Sequence, residues 1–237
     1  MKTDERTDFA AQAIVARAEE RFQAHRMEIL TWADRFFARL LVGQWVFAIA
    51  IALVVSPYAW EGKTRTVHVH VWFAIFLGAA ISAFPVALAV RRAGWVVTRH
   101  VIAAAQMLWS ALLIHLTGGR IETHFHVFGS LGILAFYRDW PVLATATVVI
   151  AADHLIRGLV WPESVYGIAR PEWWRFLEHA FWVLFSVVFL AMSCLRALKE
   201  MRLMAERGAH IEALSEAEWR RSSVLERVAK VSAVTRA

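Results

Sequence analysis

The sequence predicts an all-α, polytopic membrane bundle of six transmembrane helices with a helical extension at each end. Three observations predict it. Of the 237 residues, 59% are hydrophobic and 19% charged, with a mean hydropathy of +0.47; soluble domains sit near about 45–50% and 25%. Most of the charge lies in the first 35 and last 40 residues. Eight of the 12 Trp stand near the edges of the apolar stretches between them. An ordinary soluble enzyme and a disordered chain are thereby excluded. The one Cys excludes a disulfide framework and any multi-thiolate zinc or iron–sulfur site.

Residues 1–35 read as a cytoplasmic amphipathic helix, with Phe9, Val15, Phe22 and Ile29 set among charges. They lack the basic start and short apolar core of a cleavable signal. The membrane domain is expected over 36–196. Its first span runs from Phe36 to Val55 and stops at Ser56-Pro57, and the second runs from Val67 to Val90 with Pro85 inside it. The third runs from Val96 to Leu116 and ends at Gly118-Gly119. The fourth is short, Glu122 to Tyr137, and the turn after it holds Arg138 and Asp139, expected to pair or to cap helix ends. The fifth runs from Val142 to Trp161, with Pro141 suited to a first helical turn, and the sixth from Trp174 to Cys194. Residues 197–237 read as a cytoplasmic helix in which Leu198, Met201, Met204, Ile211, Leu214, Leu225 and Val228 keep roughly three-four spacing. That weak coiled-coil seam predicts a homodimer.

Basic residues set the orientation. With both termini on one side, that side carries 20 of the 26 Lys and Arg, including Arg26, Arg35, Arg39, Arg196, Lys199, Arg202 and Arg207 beside the first and last spans. Both termini are therefore expected in the cytoplasm of a bacterial inner membrane. The net charge of +6 reads as this orientation signal and as contact with anionic lipid, with no nucleic-acid partner. Trp60, Trp72, Trp161, Trp173 and Trp174 fall at the outer boundary, and Trp32, Trp95 and Trp140 at the inner one, as an aromatic belt.

Seven of the ten His fall in the outer half, on five of the six spans: His68, His70, His115, His124, His126, His154 and His179. At 1.5 Å per residue they lie within about 10 Å of the outer boundary. Glu122, Asp153 and Glu178 join the same layer, and Glu122 shares a helix face with His126. The Gly118-Gly119 turn is expected to set His115 beside His124. Ionisable groups inside a membrane are costly unless paired or solvated, so such a layer implies a use. Imidazole and carboxylate without thiolate suit zinc, copper or iron. His124, His126, His154 and His179 are the leading ligands, with His115 next. Glu122, Asp153 and Glu178 are ligands or partners that orient an imidazole, while His68 and His70 stand equally well as interfacial residues.

Other readings stay open: a pH switch, one haem between facing His, a membrane metalloenzyme or a carrier. The chain has no His-x-x-His-His or His-Glu-x-x-His for an enzyme of the multi-His type, and a carrier would find only Gln44 and Gln106 as strong polar stations in the inner half.

The run Gly118-Gly119-Arg120-Ile121-Glu122-Thr123-His124-Phe125-His126-Val127-Phe128 is distinctive, as are Phe136-Tyr137-Arg138-Asp139-Trp140, Asp153-His154, Trp161-Pro162-Glu163-Ser164-Val165-Tyr166-Gly167 and Leu177-Glu178-His179-Ala180. Over about residues 30–200 they resemble the six-span N-terminal input module of bacterial sensor histidine kinases, chemotaxis receptors and diguanylate cyclases. The resemblance implies a sensor, with a cytoplasmic signalling domain or protein as partner. Two departures stand out. Members carry an acidic pair in the sixth span where this chain has Ser186 and Val187, and no kinase, cyclase or methyl-accepting domain is expected before Ala237.

Overall fold

The computed structural model describes the backbone of residues 2–234 and the side chains of residues 11–60 and 62–232. The order is α1 (Lys2–Val55), β1 (Tyr58–Glu61), β2 (Thr64–Val67), α2 (Val69–Trp72), a π turn over Phe73–Leu77, α3 (Gly78–Arg91), α4 (Val96–Leu116), α5 (Ile121–Leu134), α6 (Trp140–Val160), α7 (Glu163–Tyr166) and α8 (Arg175–Val234). The all-α expectation holds for the bundle. The hairpin β1–β2, turning at Gly62-Lys63, is the one strand pair among the described residues.

Five helices are long and apolar enough to cross a bilayer, not six: Ala11–Val55, Val69–Arg91, Val96–Leu116, Trp140–Val160 and Arg175–Ser232. The exception is α5. Its 14 residues span about 21 Å against a hydrocarbon core of about 30 Å. The helix tightens into a 3-10 turn over Ala135–Tyr137, which Arg138 closes in the left-handed region at φ 51°. The short segment still carries the chain from one end of the bundle to the other. Arg99 meets Asp139 at 2.6 Å and His100 meets Thr145 at 2.7 Å. At the far end of the same two helices, Arg157 Nη2 donates to Ala111 O at 3.2 Å. Hence α4 and α6 run parallel and α5 returns between them.

The chain divides into two compact units, 27–196 and 1–26 with 197–237. Within the larger, α4 is the central helix: 72% of its apolar window is buried, against 28% or less for the other spans. Ile102, Met107, Trp109, Leu113 and Ile114 of α4 are buried, along with Phe37, Leu131 and Leu143. Trp45 and Trp109 belong to this interior and not to the belt: Trp45 donates to Ile75 O and Trp109 to Ser82 Oγ.

A buried carboxylate ties together the end of the bundle at which α3 turns into α4. Asp34 accepts from Gly94 N at 2.6 Å and from Tyr137 Oη at 2.7 Å. Asp34→Ala strands two buried donors, each costing about 1–3 kcal/mol. A thermal melt of the purified variant in detergent is expected to show a clear loss of stability. A melt unchanged from the parent would show that the clamp holds nothing.

In the smaller unit, the two helical segments run antiparallel, joined by Arg17–Glu216 at 2.9 Å and Arg21–Glu212 at 2.7 Å, with Arg202 stacked over Phe22. Ala18, Phe22, Met201 and Ala209 are buried, while Met204, Ile211, Leu214, Leu225 and Val228 stay exposed.

Candidate functional site

The outer histidine layer separates into groups. The first joins three helices: His124 of α5, His154 of α6 and His179 of α8. Their ring centroids stand 5.5 Å (His124–His154), 5.3 Å (His124–His179) and 5.9 Å (His154–His179) apart. Each Nδ1 is engaged on the helix that bears it. His124 Nδ1 meets Arg120 O at 2.9 Å, His179 Nδ1 meets Arg175 O at 3.0 Å, and His154 Nδ1 meets Asp153 Oδ2 at 3.2 Å. A carbonyl oxygen only accepts, so the Nδ1 of His124 and of His179 carries the proton. The neutral ring then presents Nε2 as a lone pair. His124 Nε2 is buried and has no hydrogen-bond partner.

Local geometry explains why these residues meet. Gly118 and Gly119 take φ 72° and 74° and return the chain to start α5. A Cβ on Gly119 would run into the backbone nitrogen of Gly167, so the turn before α5 lies directly against the loop after α7. The last residue of α7, Tyr166, has its ring 5.4 Å from His179 and packs on Gly158. Burial raises the Tyr166 hydroxyl above its ordinary pKa.

The second group is His68, His70 and His115. His70 stands 4.3 Å from His68 and 4.8 Å from His115, and Trp161 lies 4.8 Å from His115. The glycine turn therefore does not set His115 beside His124 as expected; His115 points to the other group. Here His68 Nδ1 accepts from His70 N at 3.1 Å, so its lone pair is already used. His70 Nδ1 meets Ser56 Oγ at 2.8 Å, and His115 Nδ1 meets Ser164 Oγ at 2.9 Å.

Arg157 bridges the two groups, and nothing in the sequence singled it out. It donates twice to Asp153 at 2.7 Å and once to Ser164 Oγ at 2.7 Å. The path His154–Asp153–Arg157–Ser164–His115 is thus a continuous polar chain.

The remaining expected site residues lie elsewhere. His126 turns from His124 into the bundle, where its Nε2 meets Gln44 Nε2 at 3.0 Å and its Nδ1 meets Ser110 Oγ at 2.8 Å. Glu122 is exposed and stands 3.8 Å from Arg120, not against His126. Asp153 is committed to His154 and Arg157. Glu178 lines a cavity of about 790 Å³ together with the three histidines of the first group.

Among the described residues, no three His, Cys, Asp or Glu side chains are already arranged to hold a metal ion. The ten residues expected in one layer do not gather at one point: His124, His154 and His179 meet, His68, His70 and His115 form a second group, and His126 and Glu122 lie apart from both. The first group nevertheless brings three imidazoles from three helices together. Three imidazoles bound to a tetrahedral ion at about 2.0–2.1 Å would place their ring centroids about 5 Å apart. The observed 5.3–5.9 Å is slightly looser. Each ring also has the carbonyl or carboxylate partner that fixes ligating histidines.

No family model matches the chain, and no solved structure matches it. One curated relative is the transducer protein Htr8 of Halobacterium salinarum, 33% identical over 86 residues. The match takes in 35% of this chain and 13% of that relative, so the chain spans about one-eighth of the length of the protein it resembles. The five apolar helices fit a membrane protein.

Proposed function

We propose that this protein is a sensory input module of a bacterial inner membrane, with both termini cytoplasmic, and that it binds a transition metal ion through His124, His154 and His179. The carrying observation is the convergence of three imidazoles from three helices, each held at Nδ1, with His124 Nε2 buried and unpartnered. A lone-pair nitrogen withheld from water needs a cation or a donor. A three-His set leaves one coordination position open, as in zinc sites that exchange a ligand. Asp153 and the Arg120 and Arg175 carbonyls orient the rings. The transducer relative supports the signalling reading. His179 and the cytoplasmic seam belong to one helix, α8, which suits it to report occupancy to a signalling domain or protein.

The test is direct. The purified chain is equilibrated separately with zinc, copper(II) and iron(II), desalted, and its metal content and visible spectrum are recorded. About one retained ion per chain supports the reading. Retention of none overturns it, and a Soret band in the untreated protein would place a haem here instead.

The output is proposed to be a homodimer formed through the exposed Met204, Ile211, Leu214, Leu225 and Val228. Light scattering of the detergent-solubilised chain is expected to give twice the monomer mass, and Ile211→Glu with Leu214→Glu to halve it. A parent of monomer mass would end that part of the account.

A further inference from the structure

The cavity beside the three histidines is far larger than a metal ion requires. It is a half-open groove along α5, α6 and α8, and its volume of about 790 Å³ is in the range of sites that hold a whole organic ligand. Its polarity is graded. His124, His154, His179, Arg175 and Glu178 stand toward the outer end, and the wall below them is hydrocarbon and aromatic. Each helix deepens in the same sense. Phe128 lies one turn below His124, Thr147 two turns below His154, and Leu184 more than one turn below His179. At 1.5 Å per residue the apolar part extends about 6–10 Å beyond the imidazoles.

We infer that this cavity binds a lipid-soluble amphiphile with an oxygen-bearing head and an apolar body. The head lies at the histidines and the body runs down between α5, α6 and α8. The inference rests on the proposed histidine site for the head alone. An oxygen ligand would fill the open position of an ion held there, and a hydroxyl would donate to the unpartnered His124 Nε2. The apolar wall needs a hydrocarbon or ring body whichever of these holds. A fatty acid and a quinol both have this chemistry.

The full-length chain is purified in mild detergent and extracted with organic solvent, and the extract is compared by mass spectrometry with extract from mock-purified membranes. One species enriched to about one per chain is expected, and its mass distinguishes a fatty acid from a quinol. Ala151→Phe, which fills the cavity wall, is expected to lower that species at least tenfold. Since Ala151→Phe risks misfolding, the parent is also titrated with oleic acid and with a short-chain quinol. A saturable rise in melting temperature with one of them is expected. Bulk phospholipid alone in the extract, with no saturable rise, overturns the inference. So does a cross-linked dimer through this face that Ala151→Phe abolishes, because a second copy would then be the occupant. The metal content of the parent is measured in parallel. Zinc retained without any amphiphile defeats this inference and leaves the metal site standing, and the reverse result does the opposite.

Discussion

Replacing His124, His154 or His179 with Ala is expected to lower zinc retained by the purified chain from about one ion to less than about a tenth. Each substitution removes one of three protein nitrogens from a site that has few other donors. His126→Ala is expected to leave retention near one, because His126 is held by Gln44 and Ser110 on the opposite side of α5. Asp153→Asn removes the carboxylate that orients His154, so a weakening of about 10–100-fold is expected there, without abolition. Equal losses in all five variants would mean that zinc binds the exterior or that the fold has been lost. A loss confined to His126→Ala would move the site to the bundle interior.

Arg157→Met is expected to produce the largest loss of stability. The substitution leaves the Asp153 carboxylate buried with only His154 beside it, and it strips a donor from Ser164 and from Ala111 O. Breaking one side of a fully buried ion pair costs about 3–5 kcal/mol, and this pair, with side chains 21% and 13% exposed, is expected toward the lower end. For a unit of this size, that corresponds to a fall in melting temperature on the order of 10 °C. The double variant Asp153→Asn with Arg157→Met is expected to recover part of the loss, because no charge is then stranded. Melting curves of the three proteins in one detergent check this. An Arg157→Met melt within about a degree of the parent would contradict it, because the bridge between the histidine groups would then contribute nothing.

The long helices are legible in the sequence because hydropathy along an apolar span reports them directly. Which histidines meet is not. That depends on the rotation of each helix about its axis, at about 100° per residue. His124 and His126 are two residues apart and so face nearly opposite ways, one toward His154 and His179, the other toward Gln44. His115 and His124 are close in sequence, yet the turn between them directs the rings into different groups. The length of α5 was overread because Ala135–Tyr137 is apolar enough to pass for helix; the backbone of Arg138 ends it. The hairpin at 58–67 was missed because its strands have four residues each. Asp34 gave no signal, since its partners Gly94 and Tyr137 lie 60 and 103 residues away. Arg157 stands four residues after Asp153 on one helix, a spacing that suits an ion pair but does not by itself place Arg157 between two histidine groups.

The central claim is that three imidazoles from three helices close on one ion. X-ray absorption at the zinc edge, on the full chain loaded with one equivalent, tests it most directly. The account predicts a first shell with three imidazole nitrogens at about 2.0–2.1 Å and one exchangeable oxygen ligand. In His179→Ala, measured without desalting because retention is largely lost, any zinc still bound is expected to show at least one imidazole fewer. A shell of oxygens alone, or one whose imidazole count is unchanged in His124→Ala, His154→Ala and His179→Ala alike, would contradict it.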